Sequence, residues 1–314
     1  MYKIHHFDNK NRRVSLKWCE FGMDAVNIED MPDIQESEDY LNSVLKYNFN
    51  DVVETKRLYL RTLNMIQLRK ELSNMYGINL MNASNSKIGS ELCLELYCRY
   101  TGKNKNDIES LRTYRDVIPI KDIIFDYIQF KTPLFNKVLN YFESLTVSNT
   151  NEIDYTLKVE GIEYVYGSGG IHASVSSKIF ESSDEFVILD LDVASLYPSI
   201  AVVNKLYPKH LGVEFTHVYE NEIVKVRLAE KAKKENGNKS IIEGFKEASN
   251  SVYGKSNDIY SWLYDMQYTL QTTVNGQLLL TMLVERLLEI SQLSVIQLNT
   301  DGITVYLRRS DLDD

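Results

Sequence analysis

The chain has 314 residues and a formal net charge of −9, from 44 acidic and 35 basic residues. Hydrophobic residues make up 44% and charged residues 25%, a composition that excludes global disorder and, at this length, suits one large or two ordinary domains. An acidic total would count against a nucleic-acid partner, but residues 20–54 hold ten acidic residues and a single base, Lys46. That segment accounts for the whole net charge, which therefore excludes nothing about the rest of the chain.

The sequence contains neither a membrane anchor nor a secretory signal that we can recognise. No window approaches the ~18–20 consecutive apolar residues that a membrane span needs, and the first residues, MYKIHHFDNKNRR, lack an apolar core. The three cysteines, Cys19, Cys93 and Cys98, lack metal-ligand spacing with histidine and are typical of small buried side chains in a reducing compartment. We therefore expect no membrane partner and a cytoplasmic location.

In the first half of the chain the periodicity is mainly helical. Residues 1–35 are predicted to be loop and short irregular elements. From Glu38 to Leu72 apolar residues recur at roughly helical spacing, which predicts helix. Residues 73–160 are predicted to form a mostly helical connecting region, in which no residue pattern indicates chemistry.

The pattern changes at residue 161. Alternating residues on either side of Gly167-Ser-Gly-Gly170 predict a β-hairpin, and Phe186–Asp192 predicts a buried strand that ends in acidic residues. A basic helix over 221–235, the turn Asn236-Gly-Asn238 and a second helix over 240–253 predict a helical hairpin. An apolar helix follows over 274–291, and then a strand, a turn around Asn299–Gly302 and a second strand.

Two acidic residues lie at predicted strand ends, Asp192 and Asp301. Carboxylates suit Mg²⁺, which takes one or two of them together with phosphates and water. Two such ions can activate an attacking hydroxyl and stabilise a leaving phosphate. Acids at strand ends taken alone are more often solvated turn residues, so the residues around them decide the interpretation.

The residues that follow Asp192 read Asp-Val-Ala-Ser-Leu-Tyr-Pro-Ser, which resembles motif A of the family B DNA polymerases, DxxSLYPS. Lys246-Glu-Ala-Ser-Asn-Ser-Val-Tyr-Gly254 matches motif B, KxxxNxxYG, and Gln297-Leu-Asn-Thr-Asp-Gly302 resembles motif C. The three motifs occur in the family's order. The chain is thus identified as similar to a family B DNA polymerase of phage or viral type from about residue 38 onward.

The resemblance implies roles for individual residues. It implies two Mg²⁺ ions, or Mn²⁺ as a substitute, at Asp192, Val193 and Asp301, and catalytic roles for Asp192, Asp301 and Lys246. It implies a dNTP site in which the ring of Tyr197 excludes a 2′-hydroxyl, and which contains Ser195, Leu196, Tyr197, Arg227, Lys231, Lys246, Asn250 and Tyr253. It implies contact with DNA at Gly169, Gly170, Tyr253 and Gly254. For Arg227 and Lys231, a solvated basic helix is an equal alternative, and for the glycines a plain hairpin turn is one.

The chain departs from the family pattern at motif C. Asn299 stands where most members have aspartate, and Gly302 replaces serine. The retained Asp301 leads us to expect that chemistry survives, with weaker metal affinity because an amide supplies no negative charge. Asp190 lies on the same strand face as Asp192, either as a supporting acid or as an ordinary residue near a turn.

The acidic N-terminal segment holds a second, weaker resemblance. Tyr47-Asn-Phe-Asn-Asp51 is similar to the third exonuclease motif of the family, YxxxD, although a plain amphipathic helix shows the same spacing. We find no strand bearing the first exonuclease motif and no second motif. A single ligand cannot hold two metal ions, so we expect this half-site to be inactive.

The resemblance implies an α/β (α+β) fold, in which a palm sheet carries a helical-hairpin fingers insertion and follows a mostly helical region and a remnant of an RNase H-like exonuclease domain, without a thumb. The expected boundaries are 1–72 for the exonuclease remnant, 73–160 for the connecting region, 161–222 and 263–314 for the palm, and 223–262 for the fingers.

The function implied is template-directed DNA synthesis from dNTPs on a primer-template. Because the resemblance ends just after motif C, we expect a fragment or a split-gene product that needs further segments, with weak or no processive synthesis alone. Two alternatives stay open. One is a catalytically silent, nucleic-acid-binding subunit of polymerase shape, and the other is an RNA-directed or RNA-making palm enzyme.

Overall fold

The computed structural model describes residues 15–33 and 38–312. The backbone falls into two compact units. One comprises Met1–Glu95 and Arg227–Ala248, and the other comprises Leu96–Val226 and Ser249–Asp314. Within the described ranges, none of the helices combines the length and the hydropathy that crossing a lipid bilayer requires.

The helices, in chain order, are α1 Leu16–Gly22, α2 Glu38–Arg61, α3 Leu63–Tyr76, α4 Asn85–Thr101, α5 Lys105–Ser110, α6 Pro133–Ser144, α7 Leu196–Val203, α8 Val213–His217, α9 Lys225–Ala232, α10 Lys239–Ser256 and α11 Met266–Leu287. A π-helical segment, Val218–Val224, joins α8 to α9. Short 3₁₀ turns cover Ile120–Asp122, Thr150–Glu152, Lys209–Leu211, Lys234–Asn236 and Arg309–Asp311.

The strands are β1 Ile118–Pro119, β2 Thr146–Val147, β3 Asp154–Val159, β4 Ile162–Gly167, β5 Gly170–Ser174, β6 Phe186–Asp192, β7 Ser294–Asn299 and β8 Gly302–Arg308. β1 pairs with β2, and the other six form one sheet in the order β3-β4-β5-β7-β8-β6. All pairs are antiparallel. The mixture of helices and sheet agrees with the mixed fold class expected from the sequence.

The first unit is helical and has a leucine-rich core. Leu72 on α3 and Leu92 on α4 are fully buried, and Phe245 on α10 lies 5.9 Å from the ring of Tyr76. Gly89 lets α4 approach α10 closely, because a Cβ atom there would lie 2.2 Å from the carbonyl oxygen of Glu247. No side chain fits at this crossing.

The helical spacing of apolar residues over 38–72 corresponds to two helices, α2 and α3, rather than one. The hydroxyl of Thr62 donates to the carbonyl oxygens of Leu58 and Tyr59, at 3.1 and 2.9 Å, where α2 ends and α3 begins. The sequence also predicted residues 1–35 to be irregular, and this is wrong for 16–22. The Ser15 side chain accepts from the N–H of Trp18 at 3.2 Å and starts α1. Residues 1–14 lie outside the described residues.

The second unit is built around the six-stranded sheet and α11. Asp265 caps α11, since its side chain accepts from the N–H of Gln267, and this cap places the helix start at 266 rather than at the predicted 274. The helix is buried over most of its length and contacts β5, α6 and α7. The hydroxyl groups of Tyr166 on β4 and Thr281 on α11 lie 3.1 Å apart.

The predicted hairpins are confirmed. β4 and β5 flank the turn at 167–170, α9 and α10 flank the turn at 236–238, and β7 and β8 flank the turn at 299–302. The prediction that Phe186–Asp192 is a buried strand is wrong, because β6 is the last strand of the sheet and its residues are partly to fully exposed. An edge position explains this, since one side of the strand lacks a neighbour.

Candidate active site

The structure brings Asp192 and Asp301 to the same end of the sheet. Asp192 is the last residue of β6 and lies opposite Gly302, the first residue of β8. The N–H of Val193 donates to the carbonyl oxygen of Asp301 at 2.8 Å, which joins the two chain segments. A carboxylate oxygen of Asp192 would lie only 3.8 Å from a methyl group placed on Gly302. Two acids far apart in sequence are therefore held side by side.

The turn that carries Asp301 has a constrained backbone. Thr300 adopts the left-handed region with φ 48°, and its N–H donates to the carbonyl oxygen of Ile171 at 2.9 Å. The Asp301 N–H donates to the carbonyl oxygen of Asn299. Because Thr300 is not a glycine, its left-handed backbone is strained and must be held by its surroundings.

The pair of acids fits Mg²⁺ shared with a substrate. In the described part of the chain, no group of three or more His, Cys, Asp or Glu side chains is arranged to hold a metal ion. Asp192 is exposed and Asp301 partly exposed, and Mg²⁺ is commonly held by one or two carboxylates with phosphates and water completing the shell. These two residues suit such a shared ion and do not form a complete protein cage.

Asp190 is held by a neighbouring strand. The hydroxyl of Thr304 on β8 donates to a carboxylate oxygen of Asp190 at 2.8 Å. Asp190 lies opposite Thr304 in the pairing of β6 with β8 and two residues before Asp192. Both roles proposed for it from sequence, support of Asp192 and an ordinary acid near a turn, are compatible with this bond.

Tyr197 lies in an aromatic pair next to the acids. It is in the first turn of α7, and its ring centroid lies 4.3 Å from that of Tyr253 on α10, with the planes inclined at 44°. Burial raises the pKa of Tyr197, and the nearby Tyr253 and Asp301 raise it further. Burial raises the pKa of Tyr253 to about 12. Both phenols therefore carry their protons at neutral pH.

Motif A reaches α7 through a left-handed residue. Ser195 has φ 54° and precedes the first helical residue, Leu196, which is buried. Pro198 occupies the first turn of α7, where its missing N–H is no loss. This backbone directs Leu196 into the core of the second unit and leaves Tyr197 partly exposed.

The glycine turn, residues 167–170, is held on two sides. The phenol of Tyr197 donates to the carbonyl oxygen of Gly169 at 2.9 Å. The side chain of Gln277 on α11 accepts from the N–H of Gly167 at 3.2 Å and donates to its carbonyl oxygen at 3.1 Å. Sequence reasoning missed Gln277, because it lies in a buried helix and no motif includes it.

A side chain at Gly170 would be strained. Its φ is +147°, and a Cβ atom would lie 3.0 Å from the methyl carbon of Thr300. Gly169, by contrast, would have open space around an added Cβ atom. The contact of Gly170 with Thr300 joins the glycine turn to the turn that bears Asp301.

The predicted nucleotide-binding residues of motif B, and the two basic residues upstream of it, lie on helices, as expected. Arg227 and Lys231 are on α9, and Lys246 and Asn250 are on α10, with Lys231, Lys246 and Asn250 exposed. Gly254 is exposed in the last turns of α10. Arg227, Lys231 and Lys246 belong to the first unit, whereas Asp192 belongs to the second, so their position at one site stays a prediction.

Two lysines on or next to α9, Lys225 and Lys233, form ion pairs with neighbouring acids. Lys225 lies 3.0 Å from a carboxylate oxygen of Glu220, and Lys233 lies 2.6 Å from one of Glu230. Both acids accept further hydrogen bonds that lower their carboxyl pKa values, from Lys205 and from the N–H of Asn238 respectively. The number of basic residues in this part of the sequence thus overstates the positive charge that could attract an anion.

The predicted exonuclease half-site on α2, Tyr47 and Asp51, has an acidic neighbour, Glu20, that the sequence did not indicate. Partial burial raises the pKa of the Tyr47 phenol, and the charge of Asp51 and the hydrogen bond that Tyr47 donates to it raise it further. Glu20 on α1 is 1% exposed, and neither of its carboxylate oxygens has a hydrogen-bond partner among the described residues. Burial, followed by the charges of Asp51 and Glu54, raises the pKa of Glu20. Sequence reasoning did not single out Glu20.

The comparisons with known proteins find a distant likeness among solved structures. No protein-family model matches the chain, and no curated protein matches it. Among solved structures, the chain is similar to the family B DNA polymerase from the hyperthermophilic archaeon Pyrobaculum calidifontis, with 14% sequence identity and a TM-score of 0.48. The match covers 93% of this chain and 36% of that polymerase, so the chain spans about a third of its length.

Proposed function

We propose that the chain is the catalytic part of a template-directed DNA polymerase that transfers nucleotides from dNTPs to a primer 3′-hydroxyl. The observation that supports it most is the placement of Asp192 and Asp301 side by side, next to the paired rings of Tyr197 and Tyr253. The residues come from three motifs that are far apart in the sequence. Two solvated acids in ordinary turns would have no need of a pair of aromatic rings beside them.

In the proposed reaction, the primer hydroxyl attacks the α-phosphate, a new P–O bond forms, the bond to the β-phosphate breaks and pyrophosphate leaves. Mg²⁺ or Mn²⁺, when bound, would supply activation of the hydroxyl and neutralise charge on the phosphates. Asp192 and Asp301 would hold it through their carboxylates, and the backbone at Val193 lies beside them. Lys246, Arg227 and Lys231 would meet the triphosphate, since their charges lie on helices of the proposed fingers.

Tyr197 would select the sugar. A ring fixed against Tyr253 and bonded to Gly169 cannot turn aside for a 2′-hydroxyl, so a ribonucleotide would clash with it. Ser195, Leu196, Asn250 and Tyr253 would complete the dNTP site. Gly169, Gly170 and Gly254 would lie along the DNA.

The first unit gives support for further polypeptide segments as partners. Trp18, Phe21, Phe49 and Val52 are between 61% and 71% exposed on α1 and α2. Exposed apolar side chains concentrated on neighbouring helices mark a surface that binds another protein. The acid-rich residues 20–54 make this surface unsuitable for DNA, which we propose approaches residues 160–314 instead.

The test is addition of a single nucleotide to a primer-template by the purified chain with Mg²⁺ and dNTP. We expect the wild-type chain to add single nucleotides without processive synthesis. Asp192→Asn and Asp301→Asn should each lower the rate by more than the 10- to 100-fold that loss of an outer-shell partner typically costs. Asp190→Asn, which removes a neighbouring acid that bonds Thr304, is the matched control, and its loss of activity should be clearly smaller than that of either variant.

Two outcomes would overturn the proposal. If the wild-type chain binds primer-template but adds no nucleotide, the catalytically silent subunit is the better description. If Asp192→Asn and Asp301→Asn add nucleotides at the wild-type rate, the acids have no catalytic role.

A further inference from the structure

The buried amide of Gln277 grips the start of the glycine turn. It is 1% exposed on α11, and it both accepts from the N–H of Gly167 and donates to the carbonyl oxygen of the same residue, at 3.2 and 3.1 Å. Gly167 lies opposite Gly170 at the end of the β4–β5 hairpin. One side chain therefore fixes both backbone polar groups of the residue from which the turn departs.

The other end of the turn meets Tyr197. The carbonyl oxygen of Gly169 accepts the phenol hydrogen bond of Tyr197 at 2.9 Å, and the ring itself lies against Tyr253. A rotation of the Gly169 carbonyl would remove the acceptor and leave the phenol without this bond. The orientation of Tyr197 thus depends on the position of a turn that Gln277 holds.

We propose that Gln277 is a positioning residue for sugar selection, acting through Gly167 and Gly169 on the hydroxyl of Tyr197. The inference rests on the proposed function, because Tyr197 selects a sugar only if the chain binds nucleotides. Gln277 does not touch the substrate in this scheme. It keeps the glycine turn in the position where the Gly169 carbonyl oxygen accepts the hydrogen bond of Tyr197.

The same helix supplies a matched control. Asn275 is fully buried, accepts from the N–H of Phe125 at 2.8 Å and donates to the carbonyl oxygen of Ile123 at 2.8 Å. Its amide therefore also accepts one hydrogen bond from the backbone and donates one to it. The backbone segment that it holds is not part of the glycine turn. Loss of either amide should cost stability, and only loss of Gln277 should change sugar selection.

The experiment compares Gln277→Leu with Asn275→Leu in single-nucleotide addition, measuring the ratio of kcat/KM for a dNTP to that for the matching NTP. We expect Gln277→Leu to lower this ratio about five- to tenfold, the effect of one hydrogen bond. Asn275→Leu should leave the ratio unchanged. Gln277→Glu keeps an acceptor for the Gly167 N–H and should lie between wild type and Gln277→Leu.

A double-mutant cycle tests whether Gln277 acts through the hydroxyl of Tyr197. Tyr197→Phe removes the hydroxyl and keeps the ring, so it should lower the ratio by a similar factor. Gln277→Leu should then add nothing in the Tyr197→Phe background, since the bond on which it acts is already gone. A ratio unchanged in Gln277→Leu, or effects of the two changes that multiply, would overturn the inference.

Hydrogen exchange of the backbone amides in residues 167–170 gives a readout that needs no catalysis. Exchange should be faster in Gln277→Leu, or in Gln277→Glu if the leucine variant does not fold, and unchanged in Asn275→Leu. Equal exchange in all variants would overturn the inference. Absence of nucleotide addition by the wild-type chain would instead overturn the proposed function, and the exchange result would still decide whether Gln277 holds the turn.

Discussion

The ring of Tyr197 lies against the ring of Tyr253, with centroids 4.3 Å apart. The first tyrosine follows the acid at the end of β6, and the second lies on α10, so the contact joins motif A to motif B inside the second unit. Aromatic pairs of this kind contribute about 0.5–1.5 kcal/mol beyond the area they bury. The pair thus holds the proposed sugar-selecting ring through a ring contact, in addition to the hydrogen bond between its hydroxyl and Gly169.

Tyr253→Leu should lower the preference for dNTP over NTP by about two- to tenfold, because about 0.5–1.5 kcal/mol of ring contact is lost. The measurement is the ratio of kcat/KM for the two nucleotides. Tyr253→Phe keeps the ring and should retain the wild-type ratio. Equal ratios for the leucine and phenylalanine variants would contradict the prediction.

Gly170→Ala should destabilise the second unit by about 1–3 kcal/mol, because φ is +147° and the new methyl group would press on Thr300. Gly169→Ala is the control, since its added Cβ atom meets open space, and its cost should be clearly smaller. Urea unfolding of both variants checks this. Similar midpoints for the two would show that the turn adapts to a side chain.

His210 should make stability depend on pH. Burial lowers its pKa from the usual 6.5, and its ring nitrogens lie 3.1 Å from the hydroxyl of Thr113 and 2.7 Å from the carbonyl oxygen of Trp262. The unfolded chain therefore takes up the proton at a higher pH than the folded chain does. The free energy of unfolding should fall as the pH drops below 6.5, by at most about 1.4 kcal/mol per pH unit from this group.

The check is urea unfolding at several pH values between 5 and 8. His210→Gln should show a shallower fall than wild type over this range. His172→Gln, which alters an exposed strand residue, is the comparison variant. A slope unaffected by His210→Gln would mean that the ring keeps its ordinary pKa when folded.

Glu20→Gln should stabilise the chain at neutral pH. Burial and the charges of Asp51 and Glu54 raise the pKa of Glu20, and its carboxylate oxygens have no hydrogen-bond partner in the described part of the chain. The folded state therefore favours the protonated acid, and wild type loses this contribution as the pH rises above 4.5.

The difference in unfolding free energy between Glu20→Gln and wild type should accordingly grow from pH 4 to pH 7. Exposed Asp24→Asn removes a charge from the same segment without burial and serves as the control. A difference that is constant with pH would show that Glu20 is ionised in the folded state at no cost.

The local elements of the second unit could be predicted because each has a strong short-range signal. Alternation around the glycines at 167–170 gave one hairpin, and the polar turn at 299–302 between apolar runs gave another. The adjacency of Asp192 and Asp301 followed only from motif order and resemblance. The structure supplies the reason, which is the antiparallel pairing of β6 with β8.

The parts that could not be predicted depend on long-range packing. Periodicity identifies a strand but not its place in a sheet, so the edge position of β6 was missed. Similarly, helical spacing at Leu41, Leu45 and Val52 would normally indicate a buried face. These side chains are instead 58% to 67% exposed. Gln277 was missed because a buried amide acquires meaning only from the backbone groups it meets.

The edge position of β6 has a consequence for self-association. The outer side of an edge strand is a template for another chain, and charged side chains on it discourage such pairing. Asp190 and Asp192 are exposed at the end of this strand, and the side chain of Ser182 already occupies the N–H of Ile188 at 3.2 Å. Asp190 and Asp192 thus also discourage pairing with another chain, so Asp190→Asn and Asp192→Asn should each make the protein less soluble at high concentration.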